Sequence, residues 1–428
     1  MNNYLSTCLL NNNYKSLLTK KRTSAAFNDS TKEKDELTPQ ICFKNIVNNG
    51  ISEILDPMSG YGTIMNYGIK FGANTFMTEL NLSAHLWQLI IMPKYNNILI
   101  EIVEELLNES EKFPINKTSI EVSENWFGEE GIRILTELYK LNITLLEKKI
   151  NDKTIVEKLA IAILLPFVLN ISTALKGDAN HIKKGGVAVL KNYKEDYYYY
   201  LKNLLLKSLN DVYDISNQLS NLGLEHKSIY ADAKLYKFPE KIFSGMLTSP
   251  PYPNERDYAK MFIAENYFID YLYKNSLISF SIIKNHIIGT NVVKGRKDHY
   301  IETKVAIKFI EKLKSMKLKT NEKYDMDVYY IRYYQNYFSD IESAYKNVSK
   351  SLAEDFLGYI VVTNNHIRNI EVPVSDFVIE LWQNLGFTTE IVKTKEVFHV
   401  GTKNPKLKGR MAKQTEYIIK VWRGKYDK

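Results

Sequence analysis

Residues 248–258, TSPPYPNERDY, set two adjacent prolines between a hydroxyl side chain and an aromatic ring. They follow the apolar run KIFSGML, which predicts a buried strand that ends just before the prolines. A simple turn needs one proline, whereas two in succession fix φ at two positions and hold the loop rigid. The sequence therefore predicts a loop that aims chosen groups at a ligand, and its candidate catalytic residues are Ser249, Pro250, Pro251 and Tyr252.

A second stretch, LDPMSGYGT at residues 55–63, carries Gly60 and Gly62 between a predicted strand and a predicted helix. Glycines there let the backbone approach a ligand closely, and the helix N-terminus offers unpaired N–H groups. Met65 stands where G-x-G-x-x-G has its third glycine, and the chain has no G-x-x-x-x-G-K-[ST] motif. We therefore expect an adenosine-bearing cofactor other than NAD or FAD and no P-loop phosphotransferase. The alternative is a tight turn without a ligand.

Acidic and hydroxyl residues stand at the ends of four predicted strands. Asp56 and Glu79 end the first two strands, Asp232 follows the third and Ser249 follows the fourth. The carboxyl ends of parallel strands lie at one edge of a sheet, where open α/β sheets bind ligands. We therefore expect these four side chains to line one site, in which Glu79 would accept hydrogen bonds from a ribose diol.

The elements that position these residues follow an α/β pattern. Residues 51–81 predict a strand, a helix of residues 64–71 closed by Gly72 and a second strand, which together form a βαβ unit. Helical periodicity then continues to about Gly223, before strand patterns return. The segments FTTEIVKTKEVFHV and TEYIIKVWRG near the C-terminus predict an antiparallel pair of strands.

Composition limits the possible partners and compartment. The net charge of +8 is compatible with a polyanionic partner. Cys8 and Cys42 lie far from any CxxC motif or histidine cluster, which argues against a disulfide framework or a metal site and fits a reducing compartment. The N-terminus lacks the pattern of a signal peptide, and the longest apolar run, at residues 159–171, is too short to span a bilayer. These features predict a soluble, cytoplasmic protein with no membrane contact.

Both motifs resemble those of a known family, the amino-group class of S-adenosylmethionine-dependent DNA methyltransferases. DPMSGYGT looks like the cofactor loop of that family, TSPPY like its catalytic [DNS]-P-P-[YFW] tetrapeptide, and PNERDY like the continuation in restriction-associated members. The resemblance covers most of residues 38–81, then 228–257 and, more loosely, 337–423. Serine at the first position of the tetrapeptide is typical of cytosine-N4 enzymes, whereas aspartate is typical of adenine-N6 enzymes.

The resemblance implies a seven-stranded, Rossmann-like class I methyltransferase sheet with a terminal antiparallel hairpin and a large helical insertion. The implied divisions are an N-terminal arm (1–37), the cofactor-loop part of the methyltransferase domain (38–81), a helical insertion (82–225), the catalytic part (226–258), a candidate target-recognition region (259–340) and the C-terminal part of the sheet (341–428). The insertion separates motifs that stand closer together in the family.

The resemblance also implies the cofactor, S-adenosyl-L-methionine, and the residues that bind it. Gly60 and Gly62 would hold its methionine end, Glu79 its ribose and Asp232 its adenine amine, with Phe43 as part of an N-terminal wall alongside Thr38 and Pro39. The full expected cofactor set is Asp56, Pro57, Ser59, Gly60, Gly62, Thr63, Glu79, Asp232 and Phe43. No metal is expected.

The expected chemistry follows from the weak nucleophilicity of an exocyclic amine, whose lone pair is delocalised into the base. The hydroxyl of Ser249 and the carbonyl of Pro250 would accept hydrogen bonds from the amine and free that lone pair, while Tyr252 would stack on the base. The prolines would hold the carbonyl in place during the reaction. The base must be flipped out of the duplex to reach this loop.

Three alternatives stay open at this point. One is an adenine-N6 DNA methyltransferase. Another is an RNA methyltransferase of the guanine-N2 type, which has a similar cofactor loop but carries Asn where this chain has Ser249. The third is a non-catalytic nucleic-acid-binding module of the same fold.

The expected partner is double-stranded DNA, and the resemblance adds a role in a restriction–modification system, with a possible cognate endonuclease. Lysine and arginine in glycine-containing loops suit contacts with phosphate. The candidate DNA-binding residues are Arg256, Lys294, Arg296, Lys297, Lys406, Lys408 and Arg410.

Overall fold

Seven strands form one sheet at the centre of the described part of the chain. The structure is a computed structural model that describes residues 38–90, 92–109, 119–120, 128–165, 168, 188–189, 223–253, 263–273, 280–290, 300–316, 329–367, 370–399 and 412–426. The strands of this sheet are labelled in chain order: β1 Glu53–Asp56, β2 Asn74–Glu79, β3 His226–Tyr230, β4 Phe243–Thr248, β5 Leu352–Asn364, β6 Thr388–His399 and β7 Ala412–Arg423.

The strand order across the sheet is β3-β2-β1-β4-β5-β7-β6. The first five of these strands are mutually parallel. Strand β7 pairs antiparallel with both β5 and β6. The predicted α/β class and the predicted antiparallel pair at the C-terminus are therefore confirmed, in a mixed sheet that is mostly parallel.

Helices in the described residues are labelled in the same way. They are α1 Pro39–Asn48, α2 Thr63–Phe71, α3 Leu82–Ile90, α4 Pro93–Glu109, α5 Gly128–Glu147, α6 Lys153–Ala162, α7 Ile263–Leu272, α8 Phe280–His286, α9 Lys304–Ser315, α10 Tyr330–Ser349 and α11 Val374–Asn384. Two short ribbons accompany them, one between Ser119–Ile120 and Ala188–Val189 and one between His366–Ile367 and Ile370–Glu371.

The strand–helix–strand unit at the start of the sheet is built as its sequence predicts. Strand β1 leads into α2, which ends at Gly72 with φ of 74°, and β2 then pairs parallel with β1. A positive φ at this position suits glycine, because it lacks the Cβ that would clash. Helix α11 likewise begins after Pro373, and Gly386 after it has φ of 84°.

Both faces of the sheet are covered. Neighbouring residues of β4 lie in different apolar clusters: Met246 packs with the aromatic residues of α10 and α11, whereas Leu247 packs with α1 and α2. Successive side chains of a strand point to opposite faces, so each cluster covers one face. This arrangement explains why β4 reads as a continuous apolar run.

A third apolar cluster joins α3 to the helices that follow it in the chain. In α5, Leu135, Leu138 and Leu145 are buried in this cluster, and Ile132 packs against it partly buried. All nine residues of α3 are buried, including the polar Ser83, His85 and Gln88. Among the helices of the described ranges, none is long and apolar enough to cross a membrane.

Candidate functional site at the carboxyl edge of the sheet

The carboxyl ends of four adjacent parallel strands bring the predicted site residues to one edge. Asp56 ends β1 and Glu79 ends β2, while Ser249 directly follows β4. Asp232 lies just beyond β3, where the backbone N–H of Ala231 donates to the carbonyl of Glu79 at 3.0 Å. The predicted common edge is therefore present in the structure.

Asp56 joins the ends of β1 and β4. Its Oδ1 accepts hydrogen bonds from Thr248 Oγ1 at 2.8 Å and from the backbone N–H of Met58 at 3.2 Å. Only 3% of Asp56 is exposed, and burial raises the pKa of its carboxyl to about 7, although both hydrogen bonds act in the opposite direction. Thr248 was not among the predicted residues, although a polar residue at the end of an apolar strand was a usable signal.

Residues 57–62 form a loop, called here the glycine loop. It is hydrogen-bonded to the end of β2. The backbone N–H and the hydroxyl of Ser59 both donate to the carbonyl of Thr78, at 3.1 and 3.0 Å. The Thr78 hydroxyl donates in return to the carbonyl of Pro57 at 2.7 Å. The loop is thus held along one side before α2 begins at Thr63.

The two glycines of the loop have different surroundings. Gly60 has φ of 52°, and a Cβ added there would meet no atom within 4 Å. Gly62 has φ of 78°, and a Cβ there would lie 2.9 Å from Cγ of Gln88. Gly60 therefore faces open space that a ligand could enter, whereas Gly62 faces a packed side chain.

Glu79 is bonded to the glycine loop. Its Oε2 accepts from the backbone N–H of Gly60 at 2.8 Å, and its Oε1 accepts from the backbone N–H of Asn81 at 2.7 Å. Burial raises the pKa of Glu79 to about 7, with the nearby Asp56 adding to the rise. The Gly60 N–H is thus already paired with Glu79, the acid that ends the next strand.

Asp232 has one satisfied oxygen and one without a hydrogen bond. The backbone N–H of Lys234 donates to Oδ1 at 2.9 Å, whereas the buried Oδ2 accepts no hydrogen bond from the described residues. The ammonium of Lys234 lies 3.7 Å from Oδ2 and is directed to the carbonyl of His286 at 2.8 Å and to Asp340 at 3.3 Å. Oδ2 therefore has a cation nearby but no hydrogen bond from the described residues.

No family model and no curated protein sequence matches this chain. His, Cys, Asp and Glu side chains in the described ranges form no group that could hold a metal ion.

The loop of residues 249–252, called here the proline loop, has an internal hydrogen bond. Ser249 Oγ and Tyr252 Oη lie 2.8 Å apart. Only 5% of Tyr252 is exposed, so its ring is not presented to solvent as a ready stacking surface. The hydrogen bond between Tyr252 and Ser249 was not indicated by the sequence.

Neighbouring elements lie close to the proline loop on two sides. The side-chain amide of Asn365, just after β5, donates to the carbonyl of Pro253. A Cβ on Gly289, in the turn after α8, would lie 3.6 Å from the carbonyl oxygen of Tyr252. Tyr345 of α10 is fully buried; burial, together with the nearby Asp56 and Tyr252, raises its pKa.

The N-terminal wall predicted around Phe43 is part of the core. Phe43 is 0% exposed and its ring packs on Tyr67 and Phe71, with centroids 5.8 and 6.1 Å away. The hydroxyl of Thr38 accepts from the backbone N–H of Ile41 and caps α1. Phe43 thus offers no surface to a ligand, because the apolar face of α1 turns it toward α2.

All the predicted DNA-binding residues lie outside the described residues; they are Arg256, Lys294, Arg296, Lys297, Lys406, Lys408 and Arg410. The structure adds a group that sequence reasoning missed, namely Gln88, His85 and Ser228 beside the glycine loop. Polar residues within a helix as apolar as α3 were the available signal.

Proposed function

We propose that this protein transfers a methyl group from S-adenosylmethionine to an exocyclic amine of a flipped DNA base, with cytosine N4 as the acceptor. One observation carries the proposal: the proline loop and the glycine loop lie at the same sheet edge, and the Thr248–Asp56 hydrogen bond of 2.8 Å joins the strands that lead into them. A methyl donor held by one loop would be next to an acceptor held by the other.

The order of the strands supports a Rossmann-like, class I methyltransferase sheet. In chain order the first five strands are arranged 3-2-1-4-5, which is the order of the parallel part of a Rossmann sheet. The order reverses between β1 and β4, and ligands of such sheets bind in the crevice outside the carboxyl ends at that point. Asp56 and Ser249 stand at this crevice.

The groups at this edge fit an adenosine-bearing cofactor. Gly60 faces open space, so backbone and ligand could approach closely there. The Glu79 carboxylate has lone pairs beyond those that it shares with backbone N–H groups, and these could accept the ribose hydroxyls. Oδ2 of Asp232 accepts no hydrogen bond from the described residues and suits the amine of adenine. S-adenosylmethionine, when bound, supplies an activated methyl group on a sulfonium.

The hydrogen bond within the proline loop gives Ser249 a defined task. A serine hydroxyl has one proton and two lone pairs. If the proton is donated to Tyr252 Oη, which lies 2.8 Å away, both lone pairs of Ser249 remain free to accept from the amine. Together with the carbonyl of Pro250, this acceptor would draw the amine away from conjugation with its ring. In this scheme Tyr252 orients Ser249.

The test is incubation with labelled S-adenosylmethionine and either plasmid DNA or tRNA, followed by digestion and mass spectrometry of the nucleosides. We expect N4-methylcytosine in DNA. N6-methyladenine would overturn the base assignment, and label in tRNA alone would establish the RNA alternative. Absence of both cofactor binding and label would favour the non-catalytic module.

A variant links this activity to the proline loop. Ser249→Ala should lose most methyl transfer, on the order of 100-fold, because one acceptor of the amine is removed. Its affinity for S-adenosylmethionine, measured by calorimetry, should stay unchanged. Wild-type turnover in Ser249→Ala would remove this residue from the mechanism.

A further inference from the structure

Gln88 of α3 touches three residues of the glycine loop. Its Nε2 donates to the carbonyl of Gly60 at 2.6 Å and to Ser59 Oγ at 2.8 Å. Its Cγ fills the space beside Gly62, where a Cβ would lie 2.9 Å away. Gln88 is 0% exposed, so it makes these contacts from inside the protein.

Its amide also reaches strand β3. Gln88 Oε1 accepts from the hydroxyl of Ser228 at 2.5 Å, and Ser228 Oγ lies 2.8 Å from His85 Nδ1. The amide therefore bridges the glycine loop and the third strand, with His85 at the far end of the bridge.

The donor of each hydrogen bond in this series, from Gly60 to His85, can be assigned. The carbonyl of Gly60 can only accept, so Nε2 of Gln88 must face it and Oε1 must face Ser228. Ser228 gives its one proton to Gln88 and must accept from His85, which therefore carries a proton on Nδ1. Burial, with a contribution from Lys158, lowers the pKa of His85 to about 3, so the ring is neutral.

Gln88 adds a second support for the glycine loop, on the α3 side, to the hydrogen bonds that join it to the end of β2. Two residues of the loop are glycines with positive φ, and Gly62, which precedes α2, makes no side-chain cap. We infer that Gln88 is a positioning residue that holds Gly60 and Gly62 in the shape that binds the cofactor, and that Ser228 and His85 orient its amide. The inference rests on the proposed function, since it names the support of that cofactor site.

The direct test replaces Gln88 and measures the affinity for S-adenosylhomocysteine and S-adenosylmethionine by calorimetry. Gln88→Leu should weaken binding roughly tenfold or more, because the Gly60 carbonyl loses its donor. Gln88→Glu should weaken it further, since a carboxylate oxygen would face that carbonyl. In activity assays the KM for the cofactor should rise more than kcat falls.

Two variants, Ser228→Ala and His85→Leu, test the hydrogen bonds that orient the Gln88 amide without changing Gln88 itself. Ser228→Ala should weaken cofactor binding roughly threefold to tenfold, because the amide loses the hydrogen bond that orients it. His85→Leu should have a smaller effect, since Ser228 still donates to Gln88. Both variants keep the inference testable if the Gln88 variants do not fold.

Thr75→Val is the matched control. The Thr75 hydroxyl pairs with His226 Nδ1 at 2.9 Å, and this buried pair also joins β2 to β3, but at their amino ends. Its loss should lower the melting temperature and leave cofactor affinity unchanged.

Two results would overturn the inference while leaving the proposed function intact. One is that the wild-type protein binds the cofactor and that both Gln88→Leu and Ser228→Ala bind it with an affinity within twofold of the wild type. The other is an equal loss of affinity in Thr75→Val, which would show that affinity merely follows stability. Failure of the wild-type protein to bind either cofactor form would instead refute the proposed function, and the inference with it.

Discussion

Two carboxyls at the sheet edge, Asp56 and Glu79, are buried together, and burial raises the pKa of each to about 7. Neither has a described cation as partner; their hydrogen bonds come from backbone N–H groups and from Thr248. Such an arrangement costs stability once the groups ionise. Perturbed acids in a crevice are typical of functional sites.

The pH dependence of stability should expose this cost. Asp56 has a folded pKa of about 7 against 3.8 in its ordinary state, so the folded protein binds more protons between these values and its stability falls as pH rises through them. Asp56→Asn keeps an oxygen for Thr248 and Met58 but carries no charge. The melting temperature of Asp56→Asn minus that of the wild type should therefore increase by roughly 3 °C or more between pH 4.5 and pH 8.

Thermal unfolding of both proteins across that pH range measures the difference. A melting-temperature difference that is constant with pH would show that Asp56 titrates normally in the folded protein. The Glu79 carboxyl is present in both proteins, so its own titration largely cancels in the comparison.

At the scale of elements, the two glycines of the glycine loop differ in what an added Cβ would contact. Gly60 faces open space and Gly62 faces Gln88, although both have positive φ. Alanine at either position should therefore strain the backbone by about 1 kcal/mol. The further consequences should differ, because only one position opens toward the proposed ligand.

Gly60→Ala and Gly62→Ala test this difference. Gly60→Ala should lose cofactor affinity with a small drop in melting temperature, because its methyl group enters the space kept for the ligand. Gly62→Ala should lose more stability, since its Cβ would lie 2.9 Å from Gln88. Gly50→Ala is the control, because Gly50 has φ of 79° and no atom near its Cβ position but precedes β1 at the opposite edge.

Calorimetry for affinity and thermal melts for stability separate these outcomes. We expect Gly50→Ala to lose stability and keep its affinity. Equal affinities in Gly60→Ala and Gly50→Ala would mean that no ligand approaches Gly60.

The elements themselves were predictable because they depend on neighbouring residues. Alternation and apolar runs located β1, β2, β4 and β7, and Gly72 marked the end of α2. Contacts between distant residues were not predictable. Gln88 meets Ser228 across 140 positions of the chain, and no local pattern encodes that pairing. Phe43 was misplaced for a similar reason, since the sequence did not reveal that its ring packs on α2.

At the scale of the whole molecule, the net charge of +8 is compatible with a polyanionic partner, which the proposed function would bring to the carboxyl edge. The amino edge is different: there Lys241 pairs with Glu354 at 2.9 Å, and Lys425 lies 3.9 Å from Asp355. Each of these lysines has a carboxylate beside it, which makes it less attractive to a phosphate than a lysine without one. The sequence instead points to the basic segment of residues 291–299, which lies outside the described residues.

Salt dependence distinguishes the two sets of charges. Each phosphate contact contributes about −0.9 to the slope of log K against log salt concentration. Arg296→Ala combined with Lys297→Ala should weaken binding to duplex DNA and flatten that slope by roughly 1 to 2. Lys241→Ala combined with Lys425→Ala removes the same charge at the amino edge and should leave the slope unchanged, which separates local contact from net charge. Fluorescence anisotropy over a salt series measures the DNA affinity of both double variants. Equal slopes in the two would exclude residues 291–299 as a phosphate contact.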